Sequence, residues 1–432
     1  MISDQYIIEK DLCTIFSPEW LRNAARETGL VKRERKIDPV IMFWVLVMGF
    51  GVRLQRTLAS LKRDYERSSE TELRDGSWYE RFTPELTEFF KVSVSHAVEH
   101  LAQERNRALN EKLSKFQDVL IQDSSIVRLH ESLSKKWPAA RTRRVAAGVK
   151  VSLLVSAVAD GPKRVAIHSE SKNELKTLSI GSWVKDRILL IDLGFYKHQL
   201  FARIKDNGGY FVSRLKKNAD PLIVDVNRVW RGRSIDVIGK HISEVLPELK
   251  RQILDVNVEI SFKRRKYKGK QRKDTEIFRL VAILNEETGK YHTYLTNIPP
   301  DVLEPEDIAK LYGARWDIEL IFKELKSRYS MDVINTKNPD IIESYIWIAI
   351  LTLLVSRRIY SIVRSQNPAT KMVRYTQLRW STIFAENASD QLKLILRYCG
   401  IETSLETFID VYSSHALDPH VNRHRFRSEW WA

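Results

Sequence analysis

The chain has 432 residues, of which 43% are hydrophobic and 29% are charged. This length and composition indicate two or three structural units with real hydrophobic cores and exclude a disordered protein. The net charge of +16 favours a polyanionic partner, with nucleic acid ahead of an anionic membrane surface. Only two cysteines, Cys13 and Cys399, are present, which excludes a disulfide scaffold and a cysteine-based zinc site.

The excess positive charge lies in the middle of the chain. Residues 111–195 carry a net charge of +6 and residues 196–300 a net charge of +10, whereas residues 1–110 and 301–432 are each neutral. A basic middle between neutral flanks indicates a surface that binds a polyanion. The alternative is that the charge is scattered over solvated faces.

The compartment is expected to be the cytoplasm, with the protein associated with the nucleoid and not with a membrane. Acidic residues occur early in the chain, so the N-terminus is unlike a signal peptide. The longest uncharged apolar runs, residues 39–52 and 344–356, are shorter than the roughly 20 residues that span a bilayer. Both runs are therefore predicted to form buried helices.

Residues 1–110 are predicted to form a helical N-terminal domain. Pro18, Pro39 and Pro84 each stand where a helix is expected to begin, and no strand-like alternation interrupts the region.

Residues 111–217 are predicted to form an α/β domain with a mixed sheet. Short apolar and β-branched runs predict strands, and one of them is continuous enough to be buried on both faces. The predicted strands are 119–123, 149–158, 164–169, 187–192 and 210–215, and a helix is predicted for residues 173–180.

Residues 218–300 are predicted to be rich in strands, at 253–262, 277–284 and 291–295. The link between the first two strands, residues 263–273, contains eight basic residues in eleven. This pattern predicts a hairpin with a cationic tip that contacts the DNA backbone. A solvated loop is the alternative. The candidate contacts are Lys263, Arg264, Arg265 and Lys266.

The C-terminal part returns to helix. Residues 301–340 are predicted to contain one long helix from about residue 305 to 328, and residues 341–432 a further helical region.

The residues that could carry chemistry are acids and their neighbours. Asp123 and Asp192 are each predicted to end a strand, at a loop edge where active-site residues are common, although aspartate also caps turns. On the predicted long helix, a further set falls within one arc of about 60°. This set contains Tyr312, Arg315, Glu319 and Lys326. An exposed helix face with an Arg315–Glu319 ion pair is the alternative.

Three carboxylates from two strands and one helix suit a two-metal site for phosphoryl transfer. Asp123, Asp192 and Glu319 would hold two Mg²⁺ ions, with Mn²⁺ as a possible substitute. Arg315, Lys326 and Tyr312 would then bind phosphates of the substrate.

These residues resemble the DDE triad of prokaryotic cut-and-paste transposases. The spacing from Tyr312 through Arg315 and Glu319 to Lys326 resembles the Tyr-Arg-Glu-Lys signature of the insertion-sequence-four family, and residues 192–196 and 210–216 resemble its segments around the second aspartate. The resemblance implies an α/β fold with a ribonuclease-H-like mixed sheet. In that layout residues 111–217 begin the catalytic core, residues 218–300 form a β-rich insertion, residues 301–340 carry the glutamate, and helical regions flank the core.

The resemblance also implies an activity and partners. It implies metal-dependent cleavage of double-stranded DNA at transposon ends, a hairpin intermediate and strand transfer to target DNA, with a homodimer in the DNA complex. Residues 1–110 would bind the transposon end, and residues 341–432 offer a dimer interface. Trp230 would stack on a flipped base; a role as a core tryptophan is the alternative.

Two other functions remain open from the sequence. A nuclease with the same core could cut DNA without joining it, and a catalytically inactive protein could only bind DNA. The three acids are intact, which argues against the second.

Overall fold

A computed structural model shows two compact units. It describes residues 6–33, 37–50, 57–102, 109, 111–140, 146–159, 161–228, 235–264, 271–329, 331–332, 334, 336–366 and 376–401. One unit combines Met1–Leu101 with Lys323–Ala432, and the other is Ala102–Phe322.

The first unit is helical throughout its described residues. Its helices are α1 (Ile7–Ile15), α2 (Pro18–Glu27), α3 (Pro39–Phe50), α4 (Leu58–Ser69), α5 (Asp75–Tyr79), α6 (Pro84–Ala102), α11 (Pro339–Ser365) and α12 (Gln377–Tyr398). Helix starts follow the sequence: the Ser17 hydroxyl accepts a hydrogen bond from the Trp20 amide at 3.1 Å, and Pro18 occupies the first helical position.

Helices α3 and α11 form the centre of this unit. Residues 40–48 of α3 are buried, and the Thr352 hydroxyl of α11 donates to the Val47 carbonyl oxygen at 2.7 Å. By length and hydropathy α11 could cross a bilayer, but 83% of its apolar window is buried inside the protein. The prediction of two buried helices is confirmed for residues 40–48 and 344–356; residues 51 and 52 lie outside the described residues.

The second unit is built on one mixed sheet, in which the described residues contribute nine strands. These are β1 (Asp118–Leu129), β2 (Ala147–Ser156), β3 (Gly161–Ser169), β4 (Arg187–Ile191), β5 (Tyr210–Arg214), β6 (Leu222–Val226), β7 (Ile253–Lys263), β8 (Lys273–Asn285) and β9 (Lys290–Thr296). Its helices are α7 (His198–Asp206), α8 (Ile242–Val245), α9 (Pro305–Gly313) and the first part of α10 (Trp316–Ser327).

The strand order is β3-β2-β1-β4-β5-β9-β8-β7-β6. Strands β1, β4 and β5 run parallel to each other, and the remaining neighbours are antiparallel. The strands after residue 217 extend the same sheet, because β5 pairs with β9 through Val212 and Thr296. The expected fold class is confirmed: an α/β, ribonuclease-H-like mixed sheet with a β-rich insertion between helical ends.

Two local predictions in this unit were wrong, and one strand was missed. Strand β1 does not end at Asp123 but continues to Leu129, because Ser125 and Val127 keep pairing with β2. The helix predicted for residues 173–180 is only a short 3₁₀ turn, Glu174–Lys176. The sequence analysis also missed β6, which pairs with β7 at the end of the sheet.

The long helix predicted for residues 305–328 is in fact two helices. Helix α9 ends at Gly313, and α10 starts at Trp316. The Arg315 amide bonds the Tyr312 carbonyl oxygen at 3.1 Å, three residues back, so the chain tightens between the two helices. Glycine has low helix propensity, which explains the position of the break. Tyr312, Arg315 and Glu319 therefore do not share one face of a single helix, although the sequence predicts that they do.

Candidate active site

Two neighbouring parallel strands place Asp123 and Asp192 side by side. Gln122 of β1 pairs with Ile191, the last residue of β4. The next residue along the chain is an aspartate in both cases, so both acids lie at the point where β4 ends. Asp192 also caps the following 3₁₀ turn, because its Oδ2 accepts a hydrogen bond from the Gly194 amide at 3.2 Å.

Arg315 connects the third acid to this strand end. Its Nη2 donates to Glu319 Oε1 at 2.5 Å, and its Nη1 lies 3.8 Å from Asp192 Oδ1. Burial opposes the charge of Arg315, but Glu319 and Asp192 outweigh that effect and raise the pKa of the guanidinium. The i, i+4 pair expected from the sequence is thus present, and the same guanidinium also reaches Asp192. The structure therefore joins Glu319 and Asp192 through one arginine, and Asp123 lies on the strand beside Asp192.

The carboxylate of Asp123 carries an unfavourable charge. Burial raises its pKa to about 6, the Ser124 amide and Arg315 act in the opposite direction, and the charges of Asp192 and Glu174 raise it further. Among the described residues its only hydrogen bond is the one accepted from the Ser124 amide, at 2.7 Å. Excess negative charge with free lone pairs is typical of a cation site.

Asp118, at the start of β1, provides the contrast. It is 1% exposed, and its carboxylate accepts hydrogen bonds from the Ser156 hydroxyl at 2.7 Å and from Lys163 at 2.8 Å. Its charge and lone pairs are satisfied, so it is a structural acid.

The donor set fits a hard divalent cation. Asp123, Asp192 and Glu319 offer only carboxylate oxygens, the ligands that Mg²⁺ and Mn²⁺ prefer. The described residues contain no group of three His, Cys, Asp or Glu side chains close enough to hold a metal ion. Instead, the Arg315 guanidinium contacts both Asp192 and Glu319.

Two aromatic side chains flank Arg315. Tyr312 is buried, packs on Tyr294 with ring centroids 5.5 Å apart, and lies beneath the Arg315 guanidinium at 5.9 Å. Trp316, which the sequence analysis missed, is 59% exposed. Its position directly after Arg315 is the sequence signal that could have identified it.

A fourth carboxylate, Glu174, was also missed. The Ser124 hydroxyl donates to its Oε1 at 3.1 Å. Its Oε2 approaches Gly194 so closely that a Cβ there would lie 2.3 Å away. Glu174 thus contacts the residue after Asp123 and the turn capped by Asp192. No motif or periodicity in the sequence marks it, since its position follows from the irregular turn after β3.

The other predicted contact residues are described only in part. Lys326 is in the last turn of α10. Lys263 ends β7, and Arg264 forms ion pairs with Asp274 and, at 3.5 Å, with Asp206. Strands β7 and β8 pair as far as Lys263 and Lys273, so the predicted hairpin is present. Arg265, Lys266 and Trp230 lie outside the described residues.

This fold and site define a class of protein: a ribonuclease-H-like sheet with two aspartates on adjacent strands and a glutamate on a later helix. The model of the transposase DDE domain family matches residues 114–355. The chain therefore belongs to the transposase DDE family. Membership makes it an enzyme that acts on DNA and uses a divalent metal.

Two insertion-sequence transposases agree with this assignment. The chain is 24% identical over 380 residues to the transposase for insertion sequence element IS231F of Bacillus thuringiensis subsp. israelensis, covering 78% of this chain and 76% of the relative. It is also 24% identical over 392 residues to the transposase for insertion sequence element IS1151 of Clostridium perfringens. This match covers 82% of this chain and 80% of the relative. A piggyBac transposase synaptic complex with hairpin DNA aligns with a TM-score of 0.44 at 10% identity, covering 93% of this chain and 82% of that one.

Proposed function

We propose that this chain is the transposase of an insertion sequence and moves its element by a cut-and-paste route. The observation that carries the proposal is the contact of Arg315 with both Asp192 and Glu319, with Asp123 on the strand beside Asp192. End cleavage, a hairpin intermediate and strand transfer are the steps expected for a member of the insertion-sequence-four family.

The three acids would hold two Mg²⁺ ions, or Mn²⁺ in their place. When bound, the ions activate a water or a 3′-hydroxyl and stabilise the leaving oxygen. The chain's own residues supply the geometry. Asp123 and Asp192 are fixed by paired strands, whereas Glu319 must exchange its ion pair with Arg315 for the metal. The released guanidinium can then bind a DNA phosphate as a planar fork.

Other contacts with DNA are assigned by chemistry. Lys326 is a candidate point charge for a phosphate, and Tyr312 supports Arg315 from below. Trp316 is an exposed aromatic surface on which a base can stack. The cationic tip of the β7–β8 hairpin, with Lys263, Arg264, Arg265 and Lys266, would contact the backbone, and Trp230 is a candidate for base stacking.

The wider organisation is part of the same proposal. Residues 1–110 would bind the transposon end, residues 111–217 and 301–340 would provide the catalytic core, residues 218–300 the insertion, and residues 341–432 a dimer interface. The partner is double-stranded DNA, both ends and target, bound by a homodimer in the cytoplasm on the nucleoid.

The test uses full-length protein and DNA carrying the ends of the element. Each reaction contains Mg²⁺, Mn²⁺ or EDTA, and products are resolved on a denaturing gel beside the Glu319→Gln variant. We expect metal-dependent cleavage and a hairpin product from the wild type only. Ends pre-cleaved to a 3′-hydroxyl are expected to join target DNA.

The outcomes separate the alternatives. Cleavage without joining of pre-cleaved ends would indicate an endonuclease. Equal cleavage by wild type and Glu319→Gln would contradict the role of Glu319 in the proposed catalytic site. Binding with no cleavage by either would favour a DNA-binding protein.

A further inference from the structure

The pairing that holds β1 to β4 stops one residue before the two aspartates. The last pair is Gln122 with Ile191, and Asp123 and Asp192 follow it in the chain. Beyond this point β1 continues against β2, whereas β4 gives way to the 3₁₀ turn Leu193–Phe195. A small divalent cation such as Mg²⁺ requires its ligands at closely defined positions. A further contact is therefore needed to join the turn after β4 to β1 at the level of the acids.

Glu174 makes contacts on both sides of this gap. Its Oε1 accepts a hydrogen bond from the hydroxyl of Ser124, on β1, at 3.1 Å. Its Oε2 lies against Gly194, in the turn after β4, and occupies the space that a Cβ would take there. Asp192 Oδ2 borders the same space, 3.7 Å from the position of that Cβ. Glu174 thus bridges the two segments that carry the aspartates.

The turn that carries Glu174 is itself held in place. The Asn173 side chain accepts a hydrogen bond from the Leu175 amide at 2.9 Å, and the Thr177 hydroxyl donates to the Glu174 carbonyl oxygen at 2.6 Å. The Glu174 side chain is half-buried. Because these bonds fix the backbone, the carboxylate can keep its contacts with β1 and with the turn after β4 in a constant geometry.

Glu174 reaches the end of β4 from behind the acids. Successive side chains of a strand point to opposite faces of a sheet, so the Ser124 hydroxyl leaves β1 on the face opposite to the Asp123 carboxylate. Leu120, which shares the face of Ser124, belongs to the same buried cluster as Leu178, shortly after Glu174 in the chain. Glu174 is therefore a neighbour of the acids and not a fourth ligand for the metal.

We propose that Glu174 is a positioning residue that fixes the separation of Asp123 and Asp192 through its contacts with Ser124 and Gly194. The inference rests on the proposed function, because it takes the two aspartates as metal ligands. Residues that orient metal ligands without touching the metal contribute roughly 10–100-fold to metal affinity or activity. Glu174 acts through contacts, so glutamine, which has the same shape and still accepts the Ser124 hydrogen bond, should replace it.

The first test measures Mn²⁺ binding to the full-length protein without DNA, by calorimetry. Glu174→Ala should weaken binding by roughly 10–100-fold, and Ser124→Ala by roughly 2–10-fold, the equivalent of one hydrogen bond. The double variant should bind no more weakly than Glu174→Ala, because both changes remove the same contact. Glu174→Gln should bind as the wild type does. Glu131→Ala is the matched control, because Glu131 is exposed and begins another 3₁₀ turn, Glu131–Leu133.

The second test separates positioning of the acids from a general loss of folded protein. DNA cleavage by wild type and Glu174→Ala is measured in saturating Mg²⁺ and in saturating Mn²⁺. Glu174→Ala should lower kcat at unchanged KM for DNA, and the loss should be larger in Mg²⁺, which tolerates little departure from octahedral geometry. A loss of folded protein would lower the rate equally in both metals.

Cleavage by the wild type, measured in parallel, separates this inference from the proposed function. If the wild type cleaves, then unchanged Mn²⁺ affinity in Glu174→Ala, or equal losses in Glu174→Ala and Glu174→Gln, would overturn the positioning role alone. Should Glu174→Ala fail to fold, Ser124→Ala decides, and wild-type Mn²⁺ affinity in that variant would overturn the role. A wild-type protein that neither binds Mn²⁺ nor cleaves DNA would overturn both.

Discussion

Replacement of Asp123 by asparagine should stabilise the metal-free protein while abolishing its activity. The change keeps the acceptor oxygen for the Ser124 amide but removes a charge that the fold disfavours. The pKa of Asp123 is raised from 3.8 to about 6. At 1.36 kcal/mol per pKa unit, ionisation costs at most about 3 kcal/mol, which partial exposure reduces to about 1–2 kcal/mol.

The sign of the pH dependence follows from the direction of the shift. The folded state binds the Asp123 proton more tightly than the unfolded state, so the protein loses stability as pH rises from about 4 through about 6. Asp123→Asn does not titrate. The stability advantage of the variant should therefore be absent near pH 4, grow through pH 6 and level off above pH 7.

The assay is thermal unfolding of wild type and Asp123→Asn in EDTA and in Mn²⁺. In EDTA at pH 7.5 the variant should unfold at a higher temperature than the wild type. For a unit of this size, the expected shift is about 2–4 °C for each kcal/mol of added stability. Mn²⁺ should stabilise the wild type more than the variant, because the variant lacks one of the three carboxylates that would hold the ions. A variant less stable than the wild type in EDTA by the same amount at pH 5 and pH 7.5 would refute the reasoning and make Asp123 a structural residue.

Three further predictions follow from contacts around the acids and between the cysteines. Arg315→Gln should bind Mn²⁺ more tightly in the absence of DNA, by calorimetry, because the guanidinium no longer competes for Glu319, yet it should cleave DNA more slowly; weaker Mn²⁺ binding would contradict this competition. Gly194→Ala should reduce cleavage by at least tenfold with little change in DNA affinity, because the new Cβ would displace Glu174; an unchanged rate would show that Glu174 has no part in positioning the acids. The Sγ atoms of Cys13 and Cys399 lie 2.9 Å apart, so diamide should convert both thiols to one intrachain disulfide, measured as loss of free thiol in the wild type. Thiol loss that depends on protein concentration would indicate bonds between chains instead.

The sequence predicted the parts of the fold that local patterns control. The strands β4 and β5 are short and mostly buried, and their limits match the prediction to within one residue. Tertiary pairing decided the rest. β1 extends past Asp123 because β2 offers a partner. β6 pairs with β7, and its apolar, β-branched residues 222–226 fit a strand pattern that the sequence analysis missed.

In the candidate site, too, local sequence patterns predicted some contacts and tertiary structure decided others. The spacing of Arg315 and Glu319 on one helix made their contact predictable, and both aspartates follow apolar runs. The contact between Arg315 and Asp192 could not be derived, because the helix break after Gly313 sets the direction of the arginine. Glu174 was not predictable either, since an irregular turn brings it to Gly194.

The central claim is that Asp123, Asp192 and Glu319 bind the catalytic metal directly, and exchange of a ligand tests it most directly. Asp192→Cys replaces a hard oxygen with a softer sulfur, which Mn²⁺ tolerates better than Mg²⁺. Asp192→Ser is the matched control without a thiolate. DNA cleavage by Asp192→Cys should be lost in Mg²⁺ and regained in Mn²⁺, whereas Asp192→Ser should be inactive in both. Equal activity of Asp192→Cys in Mg²⁺ and Mn²⁺ at the wild-type rate would contradict a metal ligand at this position and, with it, the proposed site.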